Sequence, residues 1–316
     1  MSMRAVEYDR YGGPEELSVR TVARPEPRAG QVLVHVHGTS VNPVDVTIRS
    51  GGMKLMAGRC FPKRTGLDYA GEVISLGPGV TDVKIGQRVW GFLSDVSGRT
   101  GAAAEYVTVK ASALGPAPAR VDLTLAAALP SVGVTALRAL RDVLRLASGE
   151  DLLVVGASGG VGSTAIQLGL AMGARVTAVA SAANHDFCRD LGAARTLDYR
   201  DPTAIGGSFD VVLDCHGSHL GRYRCVLGRG GRMMTTASGG MGYAMRSIVT
   251  PGPRVRVMMA RSRRADLTAL AEYVDREAVQ PIVEEIYPLE DIGQAHKLTG
   301  SGHARGKRVI AVLASP

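Results

Sequence analysis

The stretch Leu152–Gly162, with the sequence LLVVGASGGVG, decides the fold of this 316-residue chain. It begins with four apolar residues, which predict a buried strand, and it ends in a turn that contains four glycines. A helical pattern, Ser163–Met172, follows directly, and a second apolar strand, Arg175–Ala180, comes after it. A strand, a glycine-rich turn, a helix and a second strand in this order are typical of a dinucleotide-binding βαβ unit.

The glycines of this turn each have a physical reason. Gly156 and Gly159 permit the tight bend, and Gly162 lets the helix pack closely against the strand. Gly160 allows the backbone to approach a pyrophosphate. The helix, expected to begin near Val161, would present free backbone N–H groups and the positive end of its dipole to phosphates. We therefore expect the cofactor at Ser158, Gly159, Gly160, Val161 and Gly162.

Strands and helices continue to alternate outward from this unit, which predicts a Rossmann-type, doubly wound parallel sheet in an α/β fold. The predicted strands are Leu152–Val155, Arg175–Ala180, Phe209–Asp214 and Arg232–Thr236. Residues before about 120 instead resemble short strands between glycines and prolines. The final apolar strand, Lys307–Leu313, needs a sheet to join, and we expect it to return to this β-rich domain. The predicted domains are 1–122 with 263–316, and 123–262.

The second strand bears on the choice of dinucleotide. Proteins that select NAD usually carry an acidic residue at its end to bind the ribose 2′-OH. Here the strand ends at Ser181, and the first acidic residue after it is Asp186. A small hydroxyl without a neighbouring carboxylate tolerates a 2′-phosphate, so we expect NADPH. Three residues remain candidates for the basic partner of that phosphate: His185, Arg189 and Arg200.

Composition excludes several other classes. The net charge is +8, but basic residues are scattered and no nucleic-acid-binding motif accompanies them, so we expect a solvated basic surface and no nucleic acid partner. The uncharged stretch Leu152–Ala174 is broken by glycines and polar residues, so we expect no membrane span. The four cysteines form no CxxC pair, which excludes a disulfide scaffold. Residues 1–10 lack the apolar core of a secretory signal, and we expect a cytoplasmic protein.

Several motifs together resemble one family. They are TSVNPVD at 39–45, GLDYAGEV at 66–73, PSVGVTAL at 130–137, GASGGVG at 156–162, LDYR at 197–200, FDVVLD at 209–214 and GKRVI at 306–310. In this order they resemble the medium-chain dehydrogenase/reductase superfamily. The branch is that of the zinc-independent quinone oxidoreductases, which include zeta-crystallin-like proteins, and of related enoyl and alkenal reductases.

This resemblance implies a GroES-like domain beside the Rossmann domain, with the active site in the cleft between them. It implies that Ser181 and Tyr199 lie near the adenosine 2′-phosphate, and that Asn42 and Thr135 approach the nicotinamide. The loops at the carboxyl ends of later strands add three further cofactor candidates, which are Cys215, Ser238 and Gly239.

Zinc is not expected. Zinc-dependent relatives carry a cysteine near position 43 and a histidine at position 67, where this chain has Pro43 and Leu67. The stretch 91–103 also lacks the cysteines of a structural zinc lobe. Without a Lewis acid, hydride must pass to an acceptor that is already electrophilic, which favours a quinone or an α,β-unsaturated carbonyl.

The proton source is less well defined by the sequence. Some relatives use a tyrosine shortly after the NPxD segment, where this chain has Met53. We expect Asn42 to polarise the acceptor, and we name Asp45 as a second catalytic candidate, although a capping role would also explain it. Other polar residues nearby are Lys54, Lys63 and Tyr69.

Two alternatives to a quinone or enone reductase stay open. One is a tailoring enoyl reductase whose carrier phosphopantetheine would meet Lys63 and Arg64, and the other is a non-catalytic NADPH-binding protein. The run Arg254–Met259 resembles an exposed edge strand. Because unpaired strand edges invite pairing, and because the family often dimerises there, we expect a homodimer.

Overall fold

The computed structural model describes residues 1–201, 205–302 and 304–313, apart from the side chain of Ser238. The chain forms two compact units. The first comprises Met1–Ser131, Arg261–Asp275 and Pro281–Pro316, and the second comprises Val132–Ala260 and Arg276–Gln280. The first unit is thus discontinuous in sequence, and its long first segment extends past residue 122 because a short helix there packs on its sheet.

The elements have the following bounds. The strands are β1 (Ser2–Tyr8), β2 (Ser18–Ala23), β3 (Gln31–Val41), β4 (Lys63–Arg64), β5 (Asp68–Leu76), β6 (Arg88–Phe92), β7 (Tyr106–Lys110), β8 (Leu114–Pro116), β9 (Asp151–Val155), β10 (Arg175–Ala180), β11 (Arg195–Asp198), β12 (Phe209–Asp214), β13 (Leu227–Thr235), β14 (Val255–Val257), β15 (Val283–Pro288) and β16 (Lys307–Ala311). The α-helices are α1 (Pro43–Arg49), α2 (Lys54–Ala57), α3 (Leu123–Ala126), α4 (Pro130–Arg138), α5 (Gly160–Ala171), α6 (His185–Asp190), α7 (Leu220–Cys225), α8 (Met241–Ser247), α9 (Arg264–Asp275) and α10 (Ile292–Gly300). Short 3₁₀ turns lie at Pro14–Glu16, Ala111–Ala113, Ala182–Asn184, Ser238–Gly240 and Leu289–Asp291, and a π-helical segment at Ala139–Leu144 continues α4.

The first unit is built on a seven-stranded mixed sheet in the order β15-β16-β3-β5-β6-β8, with β7 also paired to β3. A smaller sheet has the order β2-β1-β4. The last strand, β16, pairs antiparallel with β3, which confirms that the chain end returns to this unit. Valines of β3 face a core that also holds Tyr69 and Leu114, since alternate residues of a strand face the same side.

The central position of β3 determines where the site lies. β5 and β16 both run antiparallel to β3, with Arg308 opposite Val41 and Gly38 opposite Ala70. The end of β3 therefore lies beside the first residues of β5 and β16. This register brings Asn42, Asp68 and Lys307 to one place, although they are far apart in sequence.

The second unit is a parallel sheet of six strands in the order β11-β10-β9-β12-β13-β14. It confirms the predicted doubly wound α/β architecture. β10 and β12 have the bounds expected from the sequence, because both are buried on both faces and are therefore rich in apolar residues. β13 begins at Leu227, earlier than the expected Arg232, since its glycine-rich first half carries no apolar signal.

The strand order reverses at β9 and β12, which lie side by side although other strands separate them in sequence. In open α/β sheets, ligands bind beyond the carboxyl ends of the strands at such a switch point. Within the described part of the chain, no helix is long and apolar enough to cross a membrane.

Candidate active site and cofactor site

A buried polar cluster lies in the first unit. It consists of Ser40, Asn42, Asp45, Asp68, Ser131 and Lys307, and all but Ser131 are buried. Buried polar groups are costly unless they are hydrogen-bonded, so the contacts within this cluster largely decide its charge.

Asp68, at the start of β5, is fully buried and accepts five hydrogen bonds. Its Oδ2 accepts from Ser40 Oγ at 2.7 Å, from Asn42 Nδ2 at 2.8 Å and from Ser131 Oγ at 2.8 Å. Its Oδ1 accepts from the Ser131 amide at 2.7 Å, and Lys307 Nζ lies 3.4 Å from Oδ2. Five donors around two oxygens suit an ionised carboxylate.

Asn42 follows β3 and occupies the N-cap of α1. Its Nδ2 donates to Asp68, while its Oδ1 accepts from Lys307 Nζ and lies 3.2 Å from Ser131 Oγ, whose single hydrogen goes to Asp68. These contacts fix which end of the amide carries oxygen. One hydrogen of Nδ2 serves Asp68, so the second is the one that a substrate carbonyl would have to use.

Asp45, in the first turn of α1, is 3% exposed. Its Oδ2 accepts from the backbone N–H of Asn42 at 2.8 Å, so the capping contact expected for it is present. Burial raises the pKa of Asp45 to about 6, and the hydrogen bonds from Asn42 and the charge of Lys307 oppose that rise only in part. A carboxyl with this pKa holds a proton for part of the time near neutral pH, as an acid catalyst requires.

A narrow pocket in the first unit borders this cluster. Asp45 lines it together with Tyr8, Leu67, Arg64 and Asp95. Tyr8 is fully buried, and burial raises the pKa of its phenol far above the usual range. The pocket therefore combines an acid that titrates near neutrality with a phenol that stays protonated.

The other donor candidates have different roles. Tyr69 lies in the hydrophobic core with its hydroxyl 3.5 Å from the Ala113 carbonyl, and burial raises its pKa strongly. Lys63 Nζ donates to the Ala57 carbonyl at 2.8 Å and to the Ser97 carbonyl at 2.6 Å. Lys54 is exposed on α2. Met53 is the N-cap of that helix and provides no proton.

Sequence reasoning missed two buried groups. Lys307 lies in the GKRVI motif, but its partners Asn42 and Asp68 are far from it in sequence. His296, on α10, is fully buried, with Nε2 3.4 Å from Thr65 Oγ1 and Nδ1 without a partner among the described residues. Burial, reinforced by the charge of Arg49, lowers the pKa of His296 to about 3. No sequence pattern distinguishes these residues from exposed lysines and histidines.

The glycine turn of the second unit has the steric features expected of a phosphate site. A Cβ at Gly162 would lie 2.2 Å from Gly156 O, so this glycine is required by packing alone. A Cβ at Gly159 would meet only Gly156 O within 4 Å among the described residues, at 3.6 Å, and its φ of −75° suits any residue. Gly159 is also the N-cap of α5 and supplies no capping side chain. The protein itself therefore does not require glycine at 159, whereas a ligand approaching the helix N-terminus would.

The remaining residues of this turn have different degrees of burial. Ser158, Gly160 and Val161 are half-buried, with Gly160 the first residue of α5. Thr135, on α4, is half-buried in the same unit.

Ser181 and Tyr199 follow the adjacent strands β10 and β11, which pair in parallel, and the Tyr199 amide donates to Ala180 O at 3.4 Å. The guanidinium of Arg200 lies 5.5 Å from the centre of the Tyr199 ring. Within the described residues it makes no ion pair. Arg189, by contrast, is paired with Asp186 and donates to Thr196 Oγ1 at 2.9 Å. Of the three cationic candidates, Arg200 is thus the exposed one that an anion would find uncommitted.

Cys215 and Gly239 also lie at this edge of the sheet. Cys215 follows β12 and lies near Gly156, at the switch point. Burial raises the pKa of its thiol well above the usual range, which fits a packing residue and not a nucleophile. Gly239 is exposed in the 3₁₀ turn after β13, and the side chain of Ser238, in the same turn, lies outside the described part of the structure.

Metal binding finds no support among the described residues, where no group of three or more His, Cys, Asp or Glu side chains could hold an ion. Pro43 begins α1 and Leu67 lines the pocket. Neither side chain can ligate a metal.

Known proteins resemble the chain over nearly its whole length. The family profile described as an alcohol dehydrogenase GroES-like domain matches residues 28–119, and the one described as a zinc-binding dehydrogenase matches residues 191–310. The chain is 31% identical to the chloroplast envelope quinone oxidoreductase homolog of Arabidopsis thaliana, covering 98% of both chains.

Two further relatives extend this comparison. The NADPH-dependent alkenal/one oxidoreductase, chloroplastic, of Arabidopsis thaliana is 30% identical, covering 98% of this chain and 79% of that protein. The quinone oxidoreductase structure from Coxiella burnetii gives a TM-score of 0.92 at 30% identity, covering 99% of this chain and all of that one. The two sheets, the glycine turn and these relatives agree, and the chain belongs to the quinone oxidoreductase family of the medium-chain dehydrogenase/reductase superfamily.

Proposed function

We propose that this oxidoreductase uses NADPH to reduce a quinone or an α,β-unsaturated carbonyl without zinc. The observation that carries the proposal is the buried carboxyl of Asp45, whose pKa of about 6 lets it titrate near neutral pH. Asp45 lies two residues after Pro43 and lines a narrow cavity together with Leu67, and Pro43 and Leu67 occupy the positions where a zinc site would need ligands. The site thus offers a proton and no Lewis acid, which suits an acceptor that is already electrophilic.

The residues of the second unit fit a nicotinamide dinucleotide. The backbone N–H groups at the start of α5 and the space beside Gly159 would hold the pyrophosphate. Ser181, Tyr199 and Arg200 would hold a 2′-phosphate, with Arg200 as its cation. When bound, the cofactor supplies the hydride, and the protein orients it and supplies the proton.

Asn42 and Asp45 divide the remaining chemistry. Asn42 would donate from Nδ2 to the acceptor oxygen, because Lys307 and Asp68 hold the amide in the required orientation. Asp45 would protonate the reduced product. The relative described as an alkenal/one oxidoreductase and those described as quinone oxidoreductases support both acceptor classes.

A free acceptor is favoured over one bound to a carrier. The alternative of a tailoring enoyl reductase needs Lys63 and Arg64 to meet a phosphopantetheine. Lys63 donates to two carbonyls, and Arg64 is paired with Glu7 at 3.0 Å. Neither is free for a phosphate. The alternative of a non-catalytic NADPH-binding protein leaves the raised pKa of Asp45 without a use.

We further propose a homodimer formed at the edge of the second unit's sheet. β14 is an edge strand, and Val257 on it is 39% exposed. Met245, Val249 and Met259 are more exposed still, so apolar side chains surround an unpaired strand. A second copy of the chain would cover both features. A cytoplasmic location belongs to the same proposal, while the relatives include chloroplastic proteins.

The direct test is to mix the purified protein with NADPH or NADH and a panel of quinones and enones, following the absorbance of the reduced nicotinamide. The proposal expects turnover with NADPH and at least one acceptor, unchanged by a metal chelator. Cofactor binding without turnover of any acceptor would favour the non-catalytic alternative. Activity lost to the chelator and restored by zinc would contradict the zinc-independent mechanism.

A further inference from the structure

Two buried carboxyls in the polar cluster share one buried ammonium. Asp45 is 3% exposed, Asp68 is fully buried and Lys307 is 5% exposed. If both carboxyls were ionised, the cluster would hold an uncompensated negative charge in a medium of low polarity, which costs several kcal/mol. One carboxyl should therefore keep its proton to a higher pH than an ordinary aspartate does.

The hydrogen bonds of Asp45 and Asp68 decide which of the two carboxyls keeps the proton. Asp68 accepts from Ser40, from Asn42, twice from Ser131, and from Lys307. The hydrogen bonds to Asp45 come from Asn42, whose backbone N–H donates to Oδ2 at 2.8 Å. Because Lys307 Nζ contacts Asp68 and the amide that Asp68 binds, its charge belongs to Asp68. Asp45 feels that charge only from further away.

Other charged groups around Asp45 do not alter this balance. Arg49 lies one turn further along α1, but it donates to the Gly12 carbonyl at 2.6 Å. Arg64 and Asp95, which line the pocket from β4 and from the loop after β6, carry opposite charges, and Arg64 is already paired with Glu7. Tyr8, from β1, is neutral at any physiological pH because burial raises its pKa.

We propose that Lys307 is a positioning residue that commits its charge to Asp68 and thereby leaves Asp45 as the carboxyl of the site that keeps its proton to higher pH. Its use in turnover rests on the function proposed above, whereas the proton occupancy does not. In turnover with an enone, hydride adds to the β-carbon and the electron pair of the C=C bond moves to form an enolate. The O–H bond of Asp45 then breaks as a C–H bond forms at the α-carbon. The carboxylate left on Asp45 regains a proton from water in the pocket that it lines.

The test follows the infrared band of a protonated carboxyl against pH in the full-length protein without acceptor. In the wild type we expect a band that disappears with a midpoint near pH 6, and Asp45→Asn should remove it. Lys307→Met should move that midpoint up by about one to three pH units, since an opposite charge nearby favours ionisation by this amount. Lys307→Arg should keep it near the wild-type value. Asp68→Asn should move it down, because Asp45 then receives the whole charge of Lys307.

The infrared midpoint should move up in Lys307→Met and down in Asp68→Asn. Residues that only stabilise the fold would not be expected to shift this midpoint in opposite directions. A midpoint that is unchanged in both, or no protonated carboxyl at pH 6 in the wild type, would overturn the proposal. If one of the two variants does not fold, the direction of the midpoint shift in the other still tests the proposal.

A kinetic measurement distinguishes this proposal from the proposed function. With an active acceptor, the high-pH limb of kcat should follow the infrared midpoint in each variant. No turnover with any acceptor, together with the expected infrared shifts, would refute the function and leave the role of Lys307 standing.

Discussion

The side-chain amide of Asn42 donates from Nδ2 to Asp68 Oδ2 over 2.8 Å, within a cluster that is closed to solvent. The two residues belong to different elements, since Asn42 ends β3 and caps α1, whereas Asp68 begins β5. Their contact ties the orientation of a proposed substrate-binding amide to a buried negative charge. Changes at Asp68 should consequently affect both the stability of the first unit and the geometry of the site.

Asp68→Asn should lower the free energy of unfolding of the first unit by about 3 kcal/mol, because it removes the carboxylate that Lys307 contacts and leaves only the more distant Asp45 to compensate this buried charge. Trp90 is the single tryptophan and is fully buried in the first unit, so its fluorescence reports urea unfolding of this unit. Asp9→Asn is the matched control, since Asp9 pairs with Arg20 on the surface. A transition of Asp68→Asn as stable as that of the control would contradict the charge assignment.

The two glycines of the turn should respond differently to alanine. Gly162→Ala forces a Cβ to within 2.2 Å of Gly156 O, and we expect a loss of at least about 2 kcal/mol in the stability of the second unit. Gly159→Ala has room for its Cβ and should leave the thermal unfolding temperature unchanged while weakening NADPH binding at least tenfold. Scanning calorimetry measures the thermal unfolding temperature, and titration calorimetry measures the NADPH affinity. Full NADPH affinity in Gly159→Ala would show that the pyrophosphate does not bind at this turn.

Arg200→Ala should weaken NADPH binding by about 10- to 100-fold and leave NADH binding unchanged, since a hydrogen bond to a charged group is worth about 1.5–3 kcal/mol. Arg195→Ala is the control, because Arg195 begins β11, at the end of the strand opposite to the one that Arg200 follows. Titration calorimetry measures the affinity of each variant for NADPH and for NADH. Equal losses for NADPH and NADH would mean that Arg200 does not contact the 2′-phosphate.

The sequence predicts the sheets better than it predicts the site, and particular residues show why. β10 and β12 are short runs rich in valine, alanine and leucine that are almost entirely buried, so their own residues predict their bounds. The glycine turn is likewise local, since its four glycines lie within seven consecutive residues. Lys307, by contrast, lies 265 residues from its partner Asn42, and their contact exists only because β16 pairs with β3. Nothing in the local sequence shows that Lys307 is buried, nor that two carboxyls will share its charge.

His296 should make the first unit less stable as the pH falls. The unfolded chain protonates this histidine near pH 6.5, whereas the folded protein keeps it neutral down to about pH 3. Below pH 6.5 the unfolded state binds the extra proton, so stability falls by about 1.4 kcal/mol per pH unit from this residue. Asp45 acts in the opposite direction between about pH 4 and 6, because its raised pKa lets the folded state hold a proton that the unfolded chain has lost.

The comparison of wild type with His296→Leu isolates the histidine. The difference in stability between the two proteins should change by about 1–2 kcal/mol in favour of the variant between about pH 7 and pH 5.5. Urea unfolding followed by Trp90 fluorescence measures it. A difference that does not depend on pH would mean that His296 titrates normally in the folded protein.

Val257→Lys should convert the proposed homodimer into a monomer. Val257 lies on the edge strand β14 among exposed apolar side chains, and a lysine on an edge strand places a charge where a second strand would have to pair. Ile85→Lys is the matched control, because Ile85 is also an exposed apolar residue, at 67%, but belongs to the first unit. Sedimentation velocity should give a dimer for the wild type and the control, and a monomer for Val257→Lys.

The folded second unit should keep its NADPH affinity in all three proteins, since the glycine turn lies at the carboxyl ends of β9 and β12 and not on the sheet edge. A monomeric wild type at micromolar concentration would refute the dimer and leave the cofactor assignment untouched, because the two rest on different parts of the same sheet.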